Sequence, residues 1–283
     1  MRFLIRSTMA AILAITIGSS PAVAQYRDFM DELPEHMLRI TRRVTGDEIA
    51  FCINTTSMLA DFERALAEEL ADTLLLRFEV VDVNPVTPTD KYDFRLPLID
   101  GEIYLFLAHE CDALMGLTEA ADYPEWLHAS PAYLATDTVF VTRSQMTSMN
   151  ELPRSASIGV RLFSLAGGAL TNYLRVLPEA SRWTQLLYPS HEFILDRLAD
   201  GTIDAALIWR PALTAYLADH PDAPDVHVVP GLTFPVAQTR FVLGLRPRED
   251  FLNLSLAQAI ESLREQGVLD RLAREYGLVA PDQ

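Results

Sequence analysis

Short apolar runs alternate along the chain with segments whose apolar residues recur every three or four positions. Glu48 to Ile53 (EIAFCI) is a run of the first kind, a strand by its length, closed by the polar stretch Asn54-Thr55-Thr56-Ser57. Leu59, Phe62, Leu66 and Leu70 follow at helical spacing, with Asp61, Glu63, Glu68 and Glu69 read as lying off that line. Arg77 to Val83 is a second strand, the proline-containing segment Asn84 to Pro97 a loop, Asp100 to His109 a helix and Asp112 to Leu117 a third strand. A β-α-β-α-β order predicts a parallel sheet covered by helices, because parallel neighbours need a crossover connection.

The pattern then restarts. Ser157 to Val160, Thr184 to Tyr188, Ile203 to Trp209 and Val226 to Pro230 read as strands, with helices over Leu165 to Val176 and His191 to Asp200. Thr138 to Thr142 and Arg240 to Leu245 are extended segments flanked by polar residues. The C-terminal helices, Leu254 to Glu265 and Leu269 to Tyr276, carry apolar faces and stop at Gly267 and Gly277. The expected architecture is α/β with two lobes, each a mainly parallel sheet flanked by helices and joined by two hinge strands. Lobe 1 is expected over 25–142 and 239–283, lobe 2 over 143–238. In such a fold ligands bind outside the carboxyl ends of the strands.

Composition narrows the setting. Residues 1–24 read as a cleaved export signal: Arg2 and Arg6, an apolar middle from Met9 to Ile17, and Ala22-Val23-Ala24 as the cleavage site. That apolar stretch is shorter than the roughly 20 residues that span a bilayer, so the expectation is a periplasmic chain starting at Gln25. The net charge of −16 repels phosphate backbones and argues against a nucleic-acid partner. Cys52 and Cys111 are the two cysteines. In an oxidising compartment they form either a disulfide or two buried thiols, and sequence leaves both open. No G-x-S-x-G elbow, phosphate-loop or H-E-x-x-H motif is present. His109-Glu110-Cys111-Asp112 puts metal-ligand types in a row, but adjacent residues rarely converge on one ion, so neither metal nor cofactor is expected. The chain reads as a monomer and not as an enzyme.

The segments FCINTTS, DALMGLT followed by SPAYL, GVRLFSLAGGAL, DGTIDAALIW and ESLREQGVLDRLAREYGL together resemble a type II periplasmic solute-binding protein. More narrowly, the chain is similar to the amino-acid-binding subgroup associated with ABC transporters. That resemblance implies hinge closure on a small solute and delivery to a membrane permease. It also implies two charged anchors. Such proteins place an arginine in the loop after the third strand for the ligand α-carboxylate, and that position here is Tyr123. Their aspartate for the α-ammonium falls on Trp209. With both anchors replaced, an ordinary α-amino acid loses its strongest partners, and another solute is expected. Cys52, Cys111-Asp112 and the tryptophan of DAALIWRPA also look like the solute-binding-like proteins associated with quinoprotein alcohol dehydrogenases. This second resemblance implies an accessory role beside a PQQ enzyme. A dehydratase on the same fold, with Glu119 or Asp122 as acid or base, is the third reading.

The candidate ligand-binding residues follow. Asn54, Thr55 and Ser57 either face the cleft or cap the first helix. Thr118 offers a hydroxyl at the end of the third strand. Tyr123 and Trp126 offer aromatic faces from the next loop. Arg161 and Ser164 lie in the turn that the resemblance aligns with a carboxylate-binding turn; Arg161 either reaches the cleft as an anion partner or, the commoner outcome, points to water, and Ser164 either faces the ligand or caps the helix. Trp209 and Arg210 close the last parallel strand, while Trp183 and Phe193 are expected in the core.

Overall fold

The computed structural model describes residues 46–83 and 100–279. The leader, the stretch that follows it and the loop Asn84 to Pro97 lie outside the described residues. The first unit runs β1 (Glu48–Ile53), α1 (Ala60–Thr73), β2 (Arg77–Asp82), α2 (Asp100–Leu105) continued by a π turn at Phe106–Glu110, and β3 (Ala113–Thr118). Two short strands follow, β4 (His128–Ala129) and β5 (Leu134–Thr136). The second unit comprises β6 (Thr138–Thr142), β7 (Ser157–Arg161), α3 (Leu165–Val176), β8 (Thr184–Tyr188), α4 (His191–Ala199), β9 (Ala205–Trp209), α5 (Arg210–Asp219) and β10 (His227–Val229). The chain returns through β11 (Thr239–Leu245) to α6 (Asp250–Glu265) and α7 (Val268–Glu275).

Two sheets result. The first has the order β2-β1-β3-β11-β4, with β5 also on β11; the second has the order β10-β6-β9-β7-β8. Each holds a three-stranded parallel block, β2-β1-β3 and β9-β7-β8, to which antiparallel strands attach. Both sheets are therefore mixed. The two extended segments are strands as expected, but each is paired inside a sheet: β6 lies between β9 and β10, and β11 runs against β3. Thr138–Thr142, expected in the first lobe, pairs with strands of the second sheet. The reason is backbone satisfaction: a strand rich in Val and Phe buries its edge by pairing on both sides. Chain crossings between the sheets occur at Asp137 and through the stretch 230–238.

One face of the first sheet packs Ile49, Phe51 and Ile53 against α1, α6 and α7. Tyr276 meets the Phe62 ring edge-on at 6.2 Å, which ties the C-terminus to the first helix. The other face holds the Cys52–Cys111 disulfide, with Cα atoms 5.6 Å apart, beside Ile103, Leu107 and Leu127. Next to it the guanidinium of Arg246, from the return segment, pairs with Asp112 at 3.0 Å while both side chains are almost completely buried. The second Asp112 oxygen accepts the Ala50 N–H at 2.9 Å. The second sheet has two apolar faces, one around Phe140, Ile158 and Trp183, the other around Ile194, Leu198 and Ile208. Trp183 is buried as expected, but Phe193 is 45% exposed on α4, with the Arg197 guanidinium over its ring. Helix α5 is unanticipated: Pro211 opens it, in the first turn where proline's missing N–H has no partner to lose.

Candidate functional site

The carboxyl ends of the two parallel blocks are the places where both sheets present loops and helix starts. On the first sheet these are the ends of β2, β1 and β3. The Asn54 carboxamide oxygen accepts from the Thr56 N–H at 3.1 Å and its hydroxyl at 2.7 Å, an Asx turn. The Thr55 hydroxyl donates to Asp82, at the end of β2, at 2.7 Å. Ser57 accepts from the Leu59 N–H at 3.1 Å and so shapes the approach to α1, whose cap position is Leu59 and not one of the polar residues. Thr118 is exposed at the end of β3. Its carbonyl accepts from the Tyr123 hydroxyl at 3.2 Å, which in turn accepts from the Ala120 N–H at 2.8 Å, so Tyr123 closes its own loop. Trp126 turns toward the disulfide face and meets Tyr104 edge-on at 5.6 Å. Of the first-lobe candidates, the structure brings together Asn54, Thr55 and Thr118 along one edge; Tyr123 and Trp126 pack behind it.

The second edge is formed by β8, β7 and β9. Arg161 ends β7 opposite Tyr188, and Ser164 caps α3 by accepting the Gly167 N–H at 3.0 Å. Between them Phe163 holds a left-handed φ of 57° while 84% exposed, a conformation that costs a bulky residue roughly 1–3 kcal/mol. Trp209 ends β9. Its indole N–H donates to Thr136 at 2.7 Å, and its ring lies 6.1 Å from Phe241 and 6.5 Å from His191. Trp209 therefore touches both lobes at the crossing. Arg210 stands 3.7 Å from Asp137, the crossing residue, to which Gln238 also donates at 2.8 Å. A cavity of ≈ 180 Å³ opens there, lined by Asp137, Arg210, Pro230 and Gln238 among others, and Thr118 and Arg161 are not part of its wall.

Two residues of interest escaped the sequence reading. His191, at the start of α4, has an Nδ1 atom that is buried with no hydrogen-bond partner. Burial, and secondly the charge of Arg161, hold its pKa down to about 3, so the ring is neutral at physiological pH. Its place directly after the strand end Tyr188 and the cap Ser190 was the available signal. Glu63, read as solvent-facing, is buried at 1% exposure. It follows Leu59 by four and precedes Leu66 by three, which puts it on the buried stripe. The Tyr133 hydroxyl donates to it at 3.0 Å and accepts the Gly116 N–H at 2.8 Å, and burial raises the carboxyl to about 8. The row His109 to Asp112 does not gather on one point, since Cys111 is in the disulfide and Asp112 is paired with Arg246.

No family model matches the sequence, and no curated protein matches it. Solved structures do match. An ancestral arginine-binding protein bound to glutamine aligns over 82% of this chain and 99% of its own, with a TM-score of 0.54 and 16% identity. An ancestral cationic amino acid solute-binding protein gives 0.60 at 14% identity over 82% and 96% of the two chains. An amino acid ABC transporter substrate-binding protein from Streptococcus pneumoniae, bound to L-arginine, gives 0.54 at 14% identity over 83% and 97%. The fold is thus that of the two-lobe type II periplasmic binding proteins. Another similar structure is an ancestral amino-acid-binding protein described as a precursor of cyclohexadienyl dehydratase. Among the described residues, no helix is long and apolar enough to cross a membrane.

Proposed function

We propose that this chain is an exported solute-binding protein whose two lobes close on a small molecule, for hand-over to an ABC-type permease. The carrying observation is topological: two sheets face the crossing with the carboxyl ends of their parallel strands, and the chain passes between them only at Asp137 and the stretch 230–238. Lobe 1 comprises the residues up to Asp137 and from Thr239 onward, and lobe 2 the residues between. Ligand binding favours the closed arrangement by its differential contacts with the two edges. The binding residues are Asn54, Thr55, Ser57 and Thr118 on one side and Arg161, Ser164, Trp209 and Arg210 on the other, with Tyr123 and Trp126 fixing the loop behind Thr118. An ordinary α-amino acid is not the ligand, because Tyr123 and Trp209 stand where the resemblance expects arginine and aspartate. Export follows from residues 1–24.

A second reading, an accessory protein of a PQQ-dependent alcohol dehydrogenase, draws support from the Cys52–Cys111 bond, one of the features that carry that resemblance. A catalytic reading has less support: Glu119 is engaged by Arg240 at 2.6 Å. The test is a thermal-shift screen of residues 25–283 against amino acids, alcohols, aromatic acids, amines and PQQ, with X-ray scattering on every hit. A ligand that raises the melting temperature and shrinks the radius of gyration supports the binding protein. Hits that leave the radius unchanged would remove hinge closure. A chain that responds to no solute but co-purifies with a quinoprotein dehydrogenase favours the second reading.

A further inference from the structure

Arg161 is a cation without an anion. Among the described residues it has no ion pair and no side-chain hydrogen bond, although it is only partly exposed and ends the central strand of the parallel block β9-β7-β8. Burial alone lowers its pKa, with no carboxylate near enough to raise it. Its guanidinium N–H donors meet no acceptor of the protein among the described residues and stay open to solvent, and hence to a ligand. Among the described residues, other buried or half-buried arginines have a carboxylate partner: Arg246 meets Asp112 and Glu249, Arg197 meets Asp200, and Arg210 stands 3.7 Å from Asp137, although Nε of Arg197 and Nε of Arg210 make no hydrogen bond. The strand partner of Arg161 is Tyr188, and its neighbour His191 is neutral, with an Nδ1 that is itself without a partner. A neutral imidazole adds a hydrogen-bonding atom and no charge. At the same edge Phe163 and Leu165, 84% and 54% exposed, place apolar surface on the turn that follows Arg161.

From this juxtaposition we infer that the solute is an apolar monocarboxylate without an adjacent ammonium group, its anionic end held by Arg161 and His191 of the second lobe. This rests on the binding-protein reading and names its ligand class. A planar guanidinium takes a carboxylate through two parallel N–H···O bonds. The carboxylate supplies the missing negative charge, and the imidazole nitrogen fixes orientation. A zwitterion adds an ammonium that the guanidinium repels, and the carboxylates of this region, Glu192 on the exposed start of α4 and Asp137 beside Arg210, are not paired with Arg161. An amine is repelled outright. Trp209, with its N–H taken by Thr136, offers ring surface and no charge.

The experiment is calorimetric titration of residues 25–283 with matched probes: the carboxylate, alcohol, amine and α-amino-acid forms of a phenylethyl body and of a hexyl body. Expected is binding of a carboxylate at least tenfold tighter than of its alcohol, amine and amino-acid counterparts. Arg161→Gln should weaken that carboxylate by about tenfold to a hundredfold, as expected for a hydrogen bond to a charged group. Arg161→Lys should recover part of the loss, and the alcohol's affinity should stay as it is. The ligand-free melting temperature of Arg161→Gln should be no lower than that of the parent, which separates a lost contact from a damaged fold. An amine, alcohol or amino acid that binds as tightly as the carboxylate overturns the assignment, and so does an Arg161→Gln variant with undiminished carboxylate affinity. Binding by no probe in either series overturns it too. In each case hinge closure is judged separately, by the scattering measurement on the wider screen.

Discussion

The two lobes treat their polar groups in opposite ways. In the first, polar groups are carried into the interior and partnered there: Arg246 with Asp112 and Glu249 as an ion-paired set, and Glu63, kept protonated by burial, with Tyr133. The edge at its strand ends is likewise self-contained, with Thr55 on Asp82, Asn54 on Thr56 and Tyr123 on its own loop. In the second lobe both faces of the sheet are apolar, and Nδ1 of His191, Nε of Arg197 and Nε of Arg210 are buried without a hydrogen-bond partner, while the half-exposed Arg161 at the strand edge has no ion pair among the described residues. Internal networks fix the shape of one wall, whereas unsatisfied groups leave the other wall an affinity to exercise. Buried polar groups without partners are rare because they are costly, and three of the four among the described residues belong to the second lobe.

The sharpest test of that contrast is to break one ion pair in each lobe. Arg246→Ala leaves Asp112 buried and unpaired beside the disulfide, and urea unfolding should report a loss of about 3–5 kcal/mol. Arg197→Ala removes the partly exposed pair with Asp200 in the second lobe, and should change stability by less than about 1 kcal/mol. Equal losses would mean that the first lobe's interior is not held by its charges.

Glu63 gives the next largest effect. With its folded pKa raised to about 8, against an ordinary value of 4.5, both states are protonated below pH 4.5 and the native state is at its best. As pH rises from there toward 8 the unfolded chain ionises first, so stability falls by roughly 1.4 kcal/mol per pH unit and levels off above 8. Glu63→Gln cannot ionise. Its advantage over the parent should be near zero at pH 4.5 and reach about 3 kcal/mol near pH 7, read from urea midpoints across pH. Parallel stability curves for the two proteins would show that Glu63 is ionised in the folded state.

Much of this fold was legible from hydrophobic spacing. The runs Glu48–Ile53, Leu165–Val176, Thr184–Tyr188 and Thr138–Thr142 coincide with elements of the structure, because burial imposes the period. Sheet membership was not legible: nothing local in Thr138–Thr142 says whether a strand bridges two sheets or pairs within one. Helix α5 was missed because Arg210-Pro211 reads as a break. At the site, strand ends located Thr118, Arg161 and Trp209, but residue type could not say which polar groups would find partners. Thr55 and Arg161 looked alike in sequence; only the approach of Asp82 to one and the absence of any carboxylate from the other separates them. Glu63 was misread because an acid was assumed to face water, against its own helical spacing.

The smallest expected effect is the one that separates strain from function. Among the described residues, two other than glycine hold left-handed backbone angles, Leu75 and Phe163, both at φ 57° and both more than 80% exposed. Leu75 follows α1, where the Leu76 N–H closes the helix on the Ala71 carbonyl at 2.9 Å, a helix stop that usually employs glycine. It lies at the far end of the first sheet from the binding edge, before β2 begins. Phe163 lies beside Arg161, at the binding edge of the second. Glycine at either position relieves the left-handed strain and adds unfolded-state entropy, two terms that nearly cancel. Leu75→Gly and Phe163→Gly should therefore each raise stability by about 0.5 kcal/mol, or roughly 1–2 °C for a domain of this size. Ligand affinity should part them: Leu75→Gly leaves it as in the parent, and Phe163→Gly lowers it severalfold by removing apolar cover from the bound solute. If both variants bind as the parent does, the angle at Phe163 is an accident of the turn and not a feature of the site.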